Sequence, residues 1–397
     1  MKALRKYLDK IKPNFEEGGK LGMFRSVFDG FETFLFTPNT TSKSGVHIHD
    51  SIDSKRTMIV VIIALIPALL FGMYNVGHQH NLAIGADPGF WATFIFGFLA
   101  VLPQIIVSYG VGLGIEFVVA QIKKEEIQEG FLVSGMLIPM IVPVDTPLWM
   151  IAIATAFAVI FAKEVFGGTG YNIFNVALVT RAFLFFAYPA AMSGDKVFVR
   201  TSTTFGLGDG TVVDSFSGAT PLGQIGTATT NSTAVTDVLG DPLSLMDMFI
   251  GLIPGSIGET SKLAILIGAV ILLVTKIASW KTMFSVFIGG AVTASLFNLI
   301  GTTASMSLGP LEHILLGGFA FGAVFMATDP VTSARTEKGK YIYGLLVGFM
   351  AVVIRVLNPG YPEGMMLAIL LMNIFAPLID YYVVEANIKQ RLKRAIK

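Results

Sequence analysis

Apolar residues in this chain come in long unbroken runs rather than in alternation. The runs cover 57–77, 90–120, 149–166, 172–193, 262–280, 283–303, 310–328, 341–357 and 364–384. About 20 apolar residues suffice for a helix to cross a bilayer, so each run predicts a membrane span. The 90–120 run is too long for one upright helix and contains Pro103, which predicts a tilted, kinked or partly interfacial segment. Residues 130–143 (GFLVSGMLIPMIVP) are apolar but short and predict a helix broken near Pro139 and Pro143. Residues 244–258 (SLMDMFIGLIPGSIG) are also short and are expected at the interface. Counting 130–143 as spanning and 244–258 as not, the pattern predicts an all-α polytopic membrane protein with about ten transmembrane helices.

Charge placement orients this body, because Lys and Arg favour the cytoplasmic side. Ten precede residue 57 and five more lie in 389–397, so both termini are expected in the cytoplasm. Lys123, Lys124, Lys276, Lys281, Arg335, Lys338 and Lys340 then fall on the same side. The Ser/Thr/Gly-rich stretch 193–240, with only Lys196 and Arg200, falls outside. The expected organisation is a cytoplasmic segment 1–56, a first membrane repeat 57–193, a periplasmic loop with an interfacial helix 194–261, a second repeat 262–385 and a basic tail 386–397. Five spans per half invert the second half relative to the first. VIFAKEVFGGTGYNIFN (159–175) resembles AVVIRVLNPGYPEGMM (351–366), and IVPVDTP (141–147) loosely answers MATDPVT (326–332). Both comparisons favour two inverted five-helix repeats with broken helices.

Composition narrows the chemistry. Hydrophobic residues make up 53% and charged residues 14% of the 397, against roughly 25% charged in soluble domains. A net charge of +1 gives no sign of nucleic-acid binding. There is no cysteine, which excludes disulfides, thiolate-held iron–sulfur clusters and cysteine-bound zinc. GVGLGIE (110–116) and GLGDG (206–210) miss the dinucleotide-binding glycine spacing. The pairs His47/His49 and His78/His80 lack ligand company, so no metal site is expected apart from a transported cation.

Ionisable groups inside apolar runs are costly and mark cavities or partners. They are Glu116, Glu129, Asp145, Glu164, Arg181, Asp329, Arg355 and Asp380. Glu116 and Glu164 lie near span ends, where reaching the interface is an equal alternative. Asp329 ends GGFAFGAVFMATDP, where Pro330 should break the helix and free carbonyls for a cation site. Asp380 follows Pro377 and reads either as a cation stop or as an interfacial charge. Phe321 and Phe325, four apart, share a helix face, with Gly318 and Gly322 at small-residue packing spacing. They read as core aromatics or as a constriction beside an ion path.

The remaining motif is DSFSGATPLG (214–223). No base neighbours Thr220, and an unactivated threonine hydroxyl is a poor nucleophile. It reads as an attachment point: Gly218 and Ala219 leave it accessible, and Pro221 fixes the chain after it.

The Ser217, Gly218, Ala219, Thr220 stretch with Leu222 is similar to the motif that joins FMN through its phosphate to threonine. Its neighbourhood resembles one family over nearly the whole chain, through FEEGGKLGMF (15–24), TFLFTPNTTSKSGVHIHDSIDSKR (33–56), KEVFGGTGYNIFNVALVTRAFLFFAYPA (163–190), FIGLIPGSIGE (249–259), LGGFAFGAVFMATDPVTSA (316–334) and RVLNPGYPEGMMLAIL (355–370). These blocks resemble the B subunits of the bacterial Na+-translocating NADH:quinone oxidoreductases (NQR). The D subunits of the Rnf complex share the flavin motif and membrane core, but the block before the first span resembles NQR more. The resemblance implies covalent FMN on Thr220 within a motif of Asp214, Ser217, Gly218, Ala219 and Leu222, added by a periplasmic flavin transferase. It further implies noncovalent riboflavin, a ubiquinone site, partner subunits A, C, D, E and F, and residence in the bacterial inner membrane. The family's acidic residues map onto Glu129, Asp329, Asp380 and Asp29, which with Phe321 and Phe325 give an expected sodium path. Ser215-Phe216 departs from the family, where a Gly often precedes the aromatic. Two other readings stay open: a channel or transporter without redox function, and a scaffold that only docks partners.

Overall fold

The computed structural model describes residues 2–16, 19–36, 45, 54–123, 130–193, 197–214, 216–228, 235–358 and 360–395. Among them the regular structure is helical, with two isolated β-bridges, Thr204 to Leu207 and Thr236 to Pro242. Two short helices come first, α1 (Lys2–Ile11) and α2 (Arg25–Leu35). One half of the body follows: α3 (Ser54–Ile84), α4 (Phe90–Lys123), α5 (Phe131–Ile141), α6 (Leu148–Phe157) and α7 (Val176–Ala187). A π-turn over Ala158–Lys163 and a 3-10 turn over Glu164–Phe166 prolong α6. The connection carries α8 (Pro221–Thr227) and α9 (Leu245–Ile250). The other half is α10 (Lys262–Val274), α11 (Trp280–Ile300), α12 (Ala304–Ser307), α13 (Pro310–Leu315), α14 (Phe319–Phe321), α15 (Glu337–Leu357) and α16 (Met365–Ala395). A π-turn over Gly322–Met326 prolongs α14.

Six of these helices are long and apolar enough to cross a membrane, and α5, α7 and α10 are shorter apolar ones. Trp91, Ile106, Ile122, Val274 and Leu299 lie exposed on them. Side chains of that kind facing outward suit contact with lipid tails rather than water. Glycines set the closest crossings. A side chain at Gly77 or Gly97 would run into the facing backbone where α3 meets α4, and one at Gly289, Gly344 or Gly348 would do so where α11 meets α15. Close approach of backbones at small residues is what holds helices together in lipid.

Two cavities at opposite ends reveal how the halves relate. The first is lined by Thr57 at the start of α3, Val133 near the start of α5, Val176 at the start of α7, Leu272 near the end of α10, and Asp329 beyond α14. The second is lined by Phe185 near the end of α7, Lys262 at the start of α10, Gly317 before α14, and Glu363 before α16. Hence α3 runs opposite to α10, α5 to α14, and α7 to α16. Three segments of each half therefore run opposite to their counterparts, as two inverted five-segment repeats would, and the third segment of each half is broken.

Several boundaries differ from the expectation. The run 90–120 is, as expected, too long for one upright crossing: it forms a helix of 34 residues through Pro103, roughly 51 Å long. The run 310–328 is not one helix. It bends at Gly317, whose φ of 61° is a left-handed value that suits glycine. The last helix does not stop at 384 but continues through Pro377 and the expected basic tail to Ala395. Residues 244–258 do not simply lie at an interface. After α9 the chain turns inward, and Ile253, Ser256, Ile257 and Glu259 are buried. Non-helical backbone at this depth persists only when protein satisfies it. Asn75 donates to the Ile253 carbonyl at 2.9 Å, and Gly258 N–H donates to the Met140 carbonyl at 2.8 Å.

The break in α5 is satisfied in the same way. Pro139 has no N–H to give the Gly135 carbonyl four residues back. The Ser108 hydroxyl of α4 donates to that carbonyl at 2.9 Å. Gln104, also on α4, donates to the carbonyls of Pro143 and Val144 at 3.1 and 2.8 Å. Ser108→Ala should therefore destabilise the protein by about 1–3 kcal/mol through an unpaired buried carbonyl. Thermal unfolding in detergent micelles measures this; a melting curve matching the unsubstituted chain would remove Ser108 from that role.

Candidate functional site

The second cavity is large, about 660 Å³. Thr220 opens onto it as the N-cap of α8, with its Oγ1 accepting from Gly223 N–H at 3.1 Å. No acid or base is hydrogen-bonded to this hydroxyl among the described residues. Pro221 occupies the first helical position, where its missing N–H costs nothing. Gln224 fastens α8 to the loop behind it, donating to the Thr236 carbonyl at 2.9 Å and accepting from Thr236 N–H at 3.0 Å. Leu222 packs with Ile225, Val235, Met248 and Ile253. The turn is thus held from both sides while the threonine side chain faces space. Of the neighbouring motif residues, Ser217, Ala219 and Leu222 also line the cavity. Gly218 is buried behind them and Asp214 is exposed away from the cavity.

The inner wall of this cavity is a cluster of buried charges. Arg181 of α7 hydrogen-bonds Glu363 and lies 3.5 Å from Glu259. Lys262, the first residue of α10, donates to the carbonyls of Glu259, Thr260 and Gly317 at 2.7, 3.1 and 3.3 Å. Arg355 of α15 donates to the carbonyls of His313 and Leu316 at 2.5 and 3.2 Å, and to that of Glu363 at 3.2 Å. These cations close the carbonyls freed where the chain bends between α13 and α14. A side chain at Gly318 would collide with the Glu259 and Glu363 carboxylates, so glycine there permits their approach. Sequence reasoning singled out Arg181 and Arg355 but missed Glu259, Lys262 and Glu363. Each of those three stands at the edge of an apolar run, where a charge reads as a water-facing flank.

The first cavity is smaller, about 90 Å³, and Asp329, Phe325, Lys163 and Asn175 all line it. Asp329 accepts from Asn175 Nδ2 at 3.1 Å, from Val331 N–H at 3.0 Å and from Thr332 Oγ1 at 3.0 Å. Phe321 and Phe325 are both buried, with ring centroids 5.0 Å apart. Phe325 lies within the π-turn that follows Phe321, which is closed by Ala327 N–H to the Gly322 carbonyl at 2.7 Å. Lys163 pairs with buried Glu116, so Glu116 does not reach an interface. Glu164 lies 3.4 Å from Lys123 in a more open setting.

Other predicted residues fall elsewhere. Asp380 accepts from Arg335 N–H and Thr336 N–H at 2.7 and 3.0 Å, tying α16 to the turn before α15. It does not line the Asp329 cavity. Asp29 lies in α2, 3.5 Å from Arg25. Glu129, like His47 and His49, lies outside the described residues. Asp145 follows α5 as Asp329 follows α14, at the opposite end. Burial pushes its carboxyl up to about 6, against the pull of Arg200 at 3.6 Å. His80 sits between the carbonyls of Arg200 and Gly208 and stacks on Phe96 at 3.9 Å, which anchors the loop after α7 onto α3.

Long apolar helices, broken third segments and cavities at either end define an all-α polytopic membrane protein. The chain belongs to the NQR2, RnfD, RnfE family, whose model matches residues 41–389. It is 45% identical over 415 aligned positions to the B subunit of the Na(+)-translocating NADH-quinone reductase of Chromohalobacter salexigens, covering 99% of this chain and 97% of that one. It is 45% identical to the protein of the same name from Ectopseudomonas mendocina, covering 99% and 100%. The Azotobacter vinelandii protein of that name is 44% identical, with the same coverage.

Arg181→Met would leave Glu259 and Glu363 buried together without their shared partner. A loss of about 3–5 kcal/mol is expected, seen as a lowered thermal midpoint in micelles, with Arg181→Lys recovering part of it. An unchanged midpoint in Arg181→Met would contradict the structural role assigned to the cluster.

Proposed function

We propose that the chain is the flavin-bearing membrane B subunit of a sodium-pumping NADH:quinone oxidoreductase, with FMN joined through its phosphate to Thr220. The observation that carries this reading is the placement of Thr220. The accessible hydroxyl of the S-G-A-T stretch opens onto a cavity of about 660 Å³, within the size range of cofactor sites. The cavity wall also holds buried polar atoms without a hydrogen-bond partner, Thr260 Oγ1 and Arg181 Nε, which suits a ligand rich in carbonyls and ring nitrogens. The full-length relatives bearing the NQR name favour this reading over an Rnf D subunit. Riboflavin and ubiquinone enter through the resemblance alone. So do the inner-membrane location, cytoplasmic termini, partner subunits and flavin transferase.

When bound, FMN accepts and passes on electrons. The chain's own residues do the remaining work. The α8 cap holds the Thr220 hydroxyl at the cavity edge, and the buried charges of the wall fix the field across it. At the other end Asp329 offers a carboxylate to a sodium ion, with the Thr328 and Asp329 surroundings supplying oxygens of the kind a hard cation takes. Phe321 and Phe325 fill the path between the two ends, and the π-turn that begins after Phe321 and contains Phe325 is the segment able to rearrange. Exporting a cation against the membrane potential costs about 2.3 kcal/mol per 100 mV, so opening must be tied to the electron step.

Mass spectrometry of the tryptic peptide containing Thr220, from protein produced with its flavin transferase, should show the FMN adduct. Thr220→Val should abolish in-gel flavin fluorescence. A bare peptide in the unsubstituted protein would leave the non-redox transporter reading in place. Asp329→Asn should lower sodium-stimulated quinone reduction about tenfold, the equivalent of roughly 1.4 kcal/mol, with flavin content intact. Undiminished sodium dependence would take Asp329 off the ion path.

A further inference from the structure

We infer that α1 and α2 form a surface anchor that lies in the headgroup layer beside the first membrane helix and binds anionic phospholipid through Lys6 and Lys10. The inference is independent of the flavin reading of Thr220 and needs only that the body spans a bilayer.

Both helices keep an apolar face that the rest of the chain leaves uncovered. In α1, Leu4, Tyr7, Leu8 and Ile11 recur at helical spacing on one side, and Leu4 and Tyr7 are exposed. In α2, Phe28 turns inward and stacks on Phe15 at 4.7 Å. Phe31, 62% exposed, and Leu35 look outward, and exposed Phe24, seven residues before Phe31, extends that stripe. The two helices act as one unit. Buried Glu32 of α2 holds Arg5 at 3.1 Å and Lys12 at 2.8 Å, and Arg5 also meets Asp9 at 3.2 Å.

This unit is fastened at one depth. The α2 helix packs against α4, and Lys55, the second residue of α3, donates to the Thr33 hydroxyl. Lys55 and Arg56 precede the apolar stretch of α3, and basic side chains at the end of a span reach the interface. Thr33 therefore lies at headgroup level, where an outward apolar face meets lipid rather than bulk water. Charge selects the kind of lipid. Lys6 and Lys10, four apart, run along the same flank of α1 beside Tyr7 and are exposed. Among the described residues neither makes an ion pair, whereas Glu32 and Asp9 take up the charges of Arg5 and Lys12. An apolar face edged by lysines is the pattern of helices that lie in the interface plane and attract anionic headgroups.

The chain has no cysteine, so Tyr7→Cys and Phe31→Cys each give the full-length protein a single site for a nitroxide label. Both positions are exposed, so neither replacement disturbs packing. In nanodiscs of phosphatidylcholine with phosphatidylglycerol, both labels should collide more with oxygen than with a water-soluble nickel chelate. Adding Lys6→Gln and Lys10→Gln should lower the ratio of lipid-immersed to water-exposed label by about fivefold per lysine, and should change nothing in discs of phosphatidylcholine alone. A label at either position that the nickel chelate reaches more readily than oxygen would overturn the inference. Equal immersion with and without phosphatidylglycerol would overturn the contact of the lysines with anionic headgroups. Protection gained only in the assembled complex, with no preference for oxygen in the discs, would give this face to a partner protein and overturn the inference as well.

Discussion

A carbonyl freed inside a lipid-embedded helix bundle has no water to turn to, and an unsatisfied one costs several kcal/mol. Both repeats of this protein break their third segment and so create that problem twice. In the first repeat, uncharged side chains of α4 solve it: Ser108 and Gln104 close the carbonyls around the prolines of α5. In the second, Lys262 and Arg355 close the carbonyls at the bend before α14. Folding solutions that are equivalent in geometry therefore differ in charge. That asymmetry makes one end of an otherwise pseudo-symmetric body electrically distinct.

The consequence for the site follows directly. Lys262, placed to satisfy the main chain, also walls the cavity onto which Thr220 opens. Arg181 holds the two carboxylates of that wall, and Gly318 gives those carboxylates room. At the opposite end Asp329, the one carboxylate among the described lining residues, is held by Asn175 and Thr332 beside Phe325, with Lys163 on the same wall. An anionic group suits the first environment and a cation the second, which is the polarity that the proposed division of labour requires.

Much of the architecture was legible because hydrophobic runs report span number directly and Pro and Gly report where spans break. The ten-segment body, the break in 130–143 and the inverted relation all follow from such signals. The break at Gly317 was less visible, because glycines in membrane segments as often mark close packing, as Gly348 does. The inward course of 251–261 was hidden for another reason. Its burial depends on Asn75 and Met140, more than a hundred residues away, and no local pattern encodes such partners. Thr220 and Asp329 stood out through their neighbours in sequence. Lys262, Glu259 and Glu363 did not, because a charge at a run's edge looks the same whether it meets water or folds back beneath a cavity.

The peptide from Gly317 to Asp329 belongs to both chambers. Its first residue gives its carbonyl to Lys262 on one wall, and its last places a carboxylate in the other. Thirteen residues, twelve steps at helical rise, bridge only about 18 Å. The two chambers are therefore joined by one short, continuous piece of main chain.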